Sequence, residues 1–385
     1  MKILFLCGSL ELGRDGVGDY VRRLAVDLFQ QGHQPTAIAL NDKYITQEES
    51  SFQSTLAYEL PVYRLPATWS MGSRFAKAQR LIDDLNPEWI SLQFVAFSFH
   101  PKGLSFNLAY RLARLGKGRP WHLMLHELWV GMAQGSPLKH IWWGRLQQWL
   151  IASLINQLRP VVIHTQTRLY QLQLAKIGVK AGYLPLFSNI PVVRRPEQCS
   201  SMPAFGLNAA KTVYLVMFGG IHAGAPVKNI AEEAACYAKK NDVLVVLRII
   251  GRSGAEQEDW VTSWKEMGLP IELFGEQPPE RISALLSSST FGLTTTPLAL
   301  VEKSGTVAAM KEHGLPVICV RNTWDAREFT SLAPPLEIME YRVGNFGALL
   351  ANQTVCVGAT TVNEVASIII DSLQTAKKEM QIKML

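Results

Sequence analysis

Short apolar runs alternate with amphipathic stretches along the chain, and this alternation predicts its secondary structure. Runs of about four to eight apolar residues are typical of buried strands, and apolar residues spaced three and four apart are typical of helices. In the first half, strands are predicted at 2–7, 35–40, 89–95, 121–125 and 161–164, and helices at 17–28, 75–85, 104–115 and 142–158. Strands that alternate with helices form right-handed βαβ units, so we expect a parallel sheet covered on both faces.

The same alternation restarts in the second half, after a proline-rich stretch. Strands are predicted at 213–218, 243–250, 271–274, 291–294 and 316–320, and helices at 229–237, 280–286, 304–313 and just before Gly268. We therefore predict an α/β fold of two tandem Rossmann-like parallel-sheet domains that face each other across a cleft. The predicted bounds are 1–190 for the first domain, 191–210 for a linker and 211–385 for the second domain. The last helix is a candidate to pack back on the first domain.

Composition narrows the class of protein. With 385 residues, of which 48% are hydrophobic and 18% charged, the chain can bury two cores and lacks the signature of disorder. The five cysteines include no C-x-x-C pair, which argues against a disulfide framework or a structural zinc site and favours a reducing cytoplasm. The opening apolar run is shorter than the core of a signal peptide, and no uncharged apolar run reaches the roughly 18 residues of a membrane-spanning helix.

Positive charge is concentrated in the first half. Residues 1–195 contain 22 Lys and Arg against 12 Asp and Glu, whereas residues 196–385 contain 16 against 20. We expect the basic half to meet an anionic acceptor or an anionic membrane surface, the alternative being that its cations only solvate helix faces. We expect no nucleic acid partner.

The stretch 138–158 is where a membrane contact is expected. Its aromatic and basic side chains are Trp142, Trp143, Trp149, Lys139, His140 and Arg145. Such a helix can bind an anionic membrane peripherally. The alternative is a core-facing stripe at positions 142, 146, 149, 150, 153 and 157, with the tryptophans packed between the domains. We favour a soluble acceptor over a lipid.

Glycines follow the first predicted strand. Gly16 and Gly18 lie where this strand meets the first helix, so the backbone can approach a ligand and the helix N–H groups can hold an anion. We therefore take both as candidate donor-binding residues. A dinucleotide fingerprint would have a third glycine at the position of Val21, which disfavours an NAD-dependent dehydrogenase. A plain strand-to-helix turn is the alternative.

Polar side chains also follow the strands of the first half. His126 and Glu127 come directly after the predicted strand 121–125, where a histidine can exchange a proton or a hydrogen bond with a hydroxylated substrate. A structural histidine is the alternative. The further candidates on the acceptor side are Asp15, Tyr20 and His100.

Glycines, cations and small hydroxyls in the second half fall at the ends of predicted strands and the starts of predicted helices. These candidate donor-binding residues are Gly219, Gly220, Lys228, Arg252, Lys303, Ser304, Gly305 and Thr306. Backbone N–H groups at a helix start can hold a diphosphate, and a lysine can neutralise it. Glu302 directly precedes the last of these helices and can reach sugar hydroxyls. An ordinary N-cap with exposed charges is the alternative.

Several catalytic motifs are absent from the sequence. It contains no Asp-x-Asp, no H-E-x-x-H, no G-x-x-x-x-G-K-[ST] and no G-x-S-x-G. Metal-dependent phosphate handling, zinc hydrolysis, P-loop chemistry and a hydrolase elbow therefore lack support. We expect neither a metal ion nor a cofactor.

Taken in order, these segments resemble the GT-B glycosyltransferases, and within them the bacterial retaining sugar-nucleotide transferases that share an E-x7-E region. KILFLCGSLELGRDGVGDYVRRLAVDLFQQGH is similar to that family's first strand, glycine loop and helix, and LMLHEL to its strand that ends in a cleft histidine. YLPLFSNIPVVRRP resembles the interdomain stretch, and FGGIHAGAPVKNI the phosphate loop. TTTPLALVEKSGTVAAMKEHGLPVI resembles the donor-binding segment and is the most specific part.

The resemblance implies a metal-independent transfer of a sugar from a nucleoside-diphosphate sugar to an acceptor hydroxyl, with retention of configuration. Glu302 and His126 are then the catalytic candidates. In an inverting reaction, the candidate bases would be His126, Glu127 and Asp15. The chain departs from the family at Ala308, which stands where a second glutamate binds ribose, and at Lys303, where the family usually has glycine. The family's basic residue just after the strand-end glycine is also missing.

Two other functions stay open on the sequence. A non-hydrolysing sugar-nucleotide epimerase has the same two-domain plan, and it would form product with no acceptor present. A catalytically silent GT-B scaffold that binds a partner protein is the second alternative. The missing ribose glutamate is its best support.

Overall fold

The secondary structure follows the predicted alternation of strands and helices. The computed structural model describes residues 1–55, 58–193, 212–322, 324–327, 329, 335, 337–351 and 359–384. The strands are β1 (Lys2–Cys7), β2 (Gln34–Asp42), β3 (Glu49–Thr55), β4 (Tyr58–Pro66), β5 (Trp89–Phe94), β6 (Trp121–Leu125), β7 (Val162–Thr165), β8 (Gly182–Tyr183), β9 (Thr212–Phe218), β10 (Leu244–Ile250), β11 (Ile271–Gly275), β12 (Phe291–Thr294), β13 (Val317–Cys319) and β14 (Ile338–Glu340).

Helices connect most of these strands. They are α1 (Gly16–Gln30), α2 (Met71–Leu85), α3 (Ala96–Phe99), α4 (Leu108–Arg114), α5 (Leu138–Leu158), α6 (Arg168–Lys176), α7 (Val227–Asn241), α8 (Gln257–Glu266), α9 (Pro279–Ser287), α10 (Gly305–Glu312), α11 (Phe346–Ala351) and α12 (Val362–Met384), with a 3-10 helix at Leu298–Lys303. Among the helices of the described ranges, none is long and apolar enough to cross a membrane.

The chain divides into two compact units. The first comprises Met1–Pro185, Ala326–Glu328 and Val362–Leu385, and the second comprises Leu186–Asp325 and Phe329–Thr361. Residues 194–211, which include most of the predicted linker, lie outside the described residues. The predicted domain bounds at 190 and 211 therefore stay a prediction.

A twisted sheet forms the centre of the first unit. Among the described residues its strand order is β3-β4-β2-β1-β5-β6-β7-β8, and the pairings are parallel except for the antiparallel pair β3–β4 at the edge. The central strands β1, β5 and β6 are buried along almost their whole length, as expected for parallel strands covered on both faces. Helix α12 belongs to this unit and packs against α1 and β7.

The second unit has a parallel sheet of its own. Within the described ranges its order is β11-β10-β9-β12-β13-β14. Along β9, Leu215 and Met217 pack in one buried cluster and Val216 in another, because successive side chains point to opposite faces of a sheet. The predicted α/β fold of two parallel-sheet Rossmann-like domains is confirmed.

The predicted core-facing stripe on α5 is wrong. Trp142 and Trp149 are 65% and 59% exposed, and the buried residues of the helix are instead Gly144, Gln147, Ile151, Leu154 and Leu158. A Cβ on Gly144 would lie 2.0 Å from the carbonyl oxygen of Val130, so close backbone packing selects this face. Counting apolar positions could not detect a buried face that starts with a glycine and a glutamine.

Candidate functional site

Three backbone segments of the second unit converge at the carboxyl ends of β9 and β10 and the start of α10. Gly219 follows β9 with φ +78°, and a Cβ there would lie 2.8 Å from Cγ2 of Thr306 in the first turn of α10. A Cβ on Gly251, after β10, would lie 3.4 Å from the Gly219 nitrogen. The Gly219 N–H donates to the carbonyl of Ile250 over 2.9 Å. Glycine is favoured at both positions because the backbone is left-handed, with φ +93° at Gly251, and at Gly219 the close approach of Thr306 also disfavours a side chain.

Small hydroxyls surround the start of α10. Ser304 is its N-cap: its Oγ accepts from the Val307 N–H over 3.4 Å and lies 3.0 Å from Oγ1 of Thr306. The N-cap alternative therefore holds for Ser304, but one capping oxygen leaves other N–H groups of the first turn for a ligand. Gly305 and Gly220 each have open space where a Cβ would stand.

Cations gather beside these segments. Burial lowers the pKa of His222, and the positive charges of Arg321 and Lys303 lower that pKa further, so the three side chains share one electrostatic neighbourhood. Arg321 follows β13 and donates to the carbonyl of Ala223. Arg321 was not predicted, although its signal was the same as for the other candidates: a cation just after an apolar strand.

The two remaining predicted cations differ in their surroundings. Lys228 is exposed in the first turn of α7. The N-cap of α7 is Pro226, and no described side chain caps its N–H groups, so this helix start also has donors for an anion. Arg252 instead donates to Glu276 over 2.8 Å, with both side chains largely exposed. Lys228, exposed beside an uncapped helix start, is therefore a better candidate for binding an anion than the ion-paired Arg252.

Glu302 lies in the last turn of the 3-10 helix, two residues before the N-cap of α10, and is half-buried. The residue is thus close in sequence to the N-terminal end of α10, where a negative charge is favourable. Ala308 lies on α10, so the position of the family's second glutamate is filled by a methyl group.

In the glycine loop of the first unit, capping and packing explain two of the candidate residues, Asp15 and Gly18. Asp15 is the N-cap of α1, and its carboxylate accepts from the Gly18 N–H over 2.8 Å. Burial raises the pKa of Asp15. A Cβ on Gly18 would lie 3.0 Å from the carbonyl oxygen of Ser9, whereas Gly16 has open space. The plain strand-to-helix turn thus accounts for Gly18 and Asp15.

His126 is held from two sides at the end of β6. Its ring meets the ring of Tyr20 edge-to-face, with centroids 5.0 Å apart and an interplanar angle of 79°. Its Nε2 lies 2.8 Å from Oε1 of Gln93 on β5. Glu127, the next residue, is half-buried. The structure thus brings the acceptor-side candidates Tyr20 and His126 together.

A buried polar chain continues from Gln93 across the sheet. Nε2 of Gln93 donates to Oγ of Ser91 over 2.7 Å, and that oxygen lies 2.7 Å from Nδ1 of His122. Nε2 of His122 then lies 3.0 Å from Nδ1 of His164, whose Nε2 lies 3.4 Å from Oγ of Ser372 on α12. The Ser372 hydroxyl donates to the carbonyl of Ile368 over 2.8 Å, so it accepts from Nε2 of His164. In neutral rings, Nδ1 of His164 then accepts from Nε2 of His122, and Nδ1 of His122 accepts from the Ser91 hydroxyl. At the other end, His126 donates from Nε2 to the Gln93 carbonyl. The chain fixes the tautomers of three histidines.

His100 has a structural role in its loop. Its Nδ1 accepts from the N–H groups of Lys102 and Leu104 over 3.1 and 3.2 Å. That nitrogen is therefore occupied by backbone donors. Among the described residues, no group of three or more His, Cys, Asp and Glu side chains could hold a metal ion.

No family model matches the sequence, and none of the curated proteins compared with it matches. Solved structures match the fold along nearly the whole chain. A UDP-GlcNAc 2-epimerase from Neisseria meningitidis, bound to UDP-GlcNAc, is 12% identical with a TM-score of 0.54, covering 97% of this chain and 100% of that one. Anabaena HepE in complex with UDP and glucose is 14% identical with a TM-score of 0.53, covering 100% and 99%. A trehalose 6-phosphate synthase from Burkholderia multivorans is 9% identical with a TM-score of 0.56, covering 98% and 99%.

The fold is that of the GT-B glycosyltransferases. The resemblance found in the sequence is thus confirmed at the level of the fold. Because the identities are low, the likeness defines the fold alone, and the function has to be argued from the residues of this chain.

Proposed function

We propose that the protein is a glycosyltransferase that moves a sugar from a nucleoside-diphosphate sugar to an acceptor hydroxyl. The observation that carries the proposal is the convergence of Gly219, Gly251 and Thr306 beside the cations Lys303 and Arg321. Backbone donors, close-packed glycines and positive charge at strand ends are what a diphosphate needs. The neighbours with this fold include proteins solved with UDP, UDP-glucose and UDP-GlcNAc.

The leaving group is the nucleoside diphosphate, so the transition state gains negative charge on its phosphate oxygens. The N–H groups at the start of α10, with Lys303, Arg321 and Lys228, stabilise that charge without a metal ion or a cofactor. Glu302 orients the sugar through its hydroxyls. The expected outcome is retention of configuration, with a donor phosphate oxygen receiving the acceptor proton.

The acceptor binds to the basic first unit in this proposal. His126 contacts it, and Gln93 acts as a positioning residue because its carbonyl fixes the tautomer and the orientation of the His126 ring. A cytoplasmic location and a peripheral membrane contact are part of the same proposal. The membrane contact is supported by an exposed face of α5 that carries Leu138, Trp142 and Trp149, next to Arg145.

Turnover of sugar nucleotides tests the proposal. A panel of nucleoside-diphosphate sugars is incubated with the protein, with and without sugar acceptors, and release of nucleoside diphosphate is measured. We expect Glu302→Gln to lower turnover by about 100-fold with little loss of donor affinity, since the residue orients the sugar during reaction. Glu280→Gln, an exposed carboxylate on α9, is the matched control and should behave as the wild type.

A sugar-nucleotide epimerase is the second candidate, favoured by the likeness to the UDP-GlcNAc 2-epimerase fold. An epimerised sugar nucleotide formed without any acceptor would replace the transferase proposal. Binding without turnover of any kind would favour a silent scaffold. Wild-type turnover in Glu302→Gln would remove this residue from the site.

A further inference from the structure

A cavity of about 150 Å³ lies within the first unit, and the function proposed above does not use it. It is well above the roughly 10–15 Å³ that one water molecule needs. Its walls are the loop 129–132 after His126, helices α5 and α6, and Arg327. The polar and charged side chains that line it are Arg145, Gln148, Gln173, Lys176 and Arg327.

The loop wall of this cavity is fixed by close packing. A Cβ on Gly131, which has φ +78°, would lie 2.5 Å from the carbonyl oxygen of His140, so the loop lies directly on α5. The Val130 N–H donates to Oε1 of Gln147 over 2.9 Å, and Gln147 is fully buried. The wall is therefore formed without a ligand, as is common for binding sites.

Arg327 reaches the cavity through a separate piece of chain. Ala326 forms an antiparallel bridge with Ala133, and the Arg327 N–H donates to the carbonyl of Met132 over 2.7 Å. Nε of Arg327 is completely buried and has no hydrogen-bond acceptor among the described residues. Nη2 of the same guanidinium donates to the carbonyl of Gln134 over 3.4 Å, which holds the side chain at the wall of the cavity.

The charge of the lining selects the ligand. Two arginines, Arg145 and Arg327, line the cavity, and none of the described side chains that line it is acidic. The guanidinium of Arg145 lies over the ring of Trp142, 4.8 Å from its centroid, which limits its orientations. Arginine forks match the geometry of phosphate, and a phosphate dianion offsets more of this positive charge than a carboxylate does.

We infer that this cavity binds a phosphate group, held by Arg145 and Arg327, and that the phosphate belongs to the acceptor. The second part rests on the proposed glycosyltransferase function. The first part does not, because it concerns binding to the first unit alone. The same phosphate chemistry is found in a soluble phosphate ester and in a phospholipid headgroup.

Calorimetric titration with inorganic phosphate, at an ionic strength held constant with chloride, tests the site. We expect Arg145→Gln and Arg327→Gln each to weaken phosphate binding by about tenfold or more. Arg80→Gln, an exposed residue on α2 away from the cavity, is the matched control and should bind as the wild type. Arg145 is itself exposed, so its replacement is not expected to disturb folding.

Equal phosphate affinity in Arg145→Gln, Arg327→Gln and Arg80→Gln, or no binding by the wild type, would overturn the inference. Sugar-nucleotide binding is measured on the same proteins and is expected to be unchanged in all three variants. If phosphate binding is lost in the two cavity variants while no sugar nucleotide binds any protein, the phosphate site stands and the transferase proposal fails.

A second arm distinguishes the two sources of the phosphate. Vesicles of phosphatidylcholine with and without phosphatidic acid are sedimented with Arg145→Gln, Arg327→Gln and Arg80→Gln. Binding to phosphatidic acid that only the cavity variants lose assigns the site to a lipid headgroup. Equal sedimentation of all three, with phosphate binding still lost in the cavity variants, assigns it to a soluble ester.

Discussion

At the scale of single residues, two buried histidines are expected to make the stability of the first unit sensitive to acid. Burial lowers the pKa of His164 to about 4. Burial also lowers the pKa of His122 well below its usual value, and the neighbouring charges of His164 and His126 add to that effect. Both rings are neutral near pH 7, and their hydrogen bonds in the chain from Gln93 to Ser372 need the neutral form.

The stability due to His164 should therefore depend on pH with a definite sign. The unfolded chain binds a proton below a pKa of about 6.5, whereas the folded chain does so only near 4, so this contribution is complete above about pH 6.5 and is lost as pH falls from there toward 4. Between about pH 7.5 and about pH 5, we expect the free energy of unfolding to fall by about 2 kcal/mol more in the wild type than in His164→Asn.

Urea unfolding at the two pH values measures this difference. Comparing the changes with pH, rather than the absolute stabilities, removes the cost that the substitution itself has at neutral pH. The same pH dependence in both proteins would mean that folding does not lower the pKa of His164.

The start of α10 is the element on which the proposed donor site depends. Gly219 lies where α10 approaches the end of β9, and the neighbouring Gly220, which faces open space, serves as its matched control. We expect Gly219→Ala to destabilise the protein by about 1–3 kcal/mol, because its Cβ would meet Thr306 and its φ is positive. Gly220→Ala should leave the stability unchanged, since its Cβ would stand in open space.

In the same two variants, the affinity for a nucleoside diphosphate distinguishes a loss of ligand contact from a loss of packing. We expect both to weaken binding of a nucleoside diphosphate, Gly219→Ala by displacing α10 and Gly220→Ala by filling the space that the phosphate approaches. Calorimetry measures the affinity, and urea unfolding measures the stability. Wild-type affinity in Gly220→Ala would mean that the phosphate does not approach this glycine.

Elements with a continuous apolar run or a clear helical period could be predicted from the sequence. The hairpin β3–β4 could not, because ESSFQST has only one large apolar residue and no buried run. The predicted helix at 104–115 begins instead at Leu108. The candidate donor site was predicted from glycines and cations that occur together, whereas Arg321 follows its strand with no glycine beside it.

At the scale of the whole molecule, the chain does not divide at one point. Helix α12 comes after the second unit in sequence but belongs to the first, where Lys377 pairs with Glu88 over 2.7 Å and Ser372 meets His164. The short segment at Arg327 belongs to the first unit as well. Local periodicity contains no information on such long-range partners, which explains why the cavity at Arg327 had no sequence signal.

The binding of nucleoside diphosphates to two lysine variants of α7 tests the central claim most directly. Lys228 lies in the first turn of this helix and Lys240 in the last, and both are exposed. If the second unit binds a nucleotide sugar as proposed, calorimetry should show about a tenfold or larger loss of affinity in Lys228→Ala and none in Lys240→Ala. Equal affinity in the two variants, or no binding of any nucleoside diphosphate by the wild type, would contradict the account.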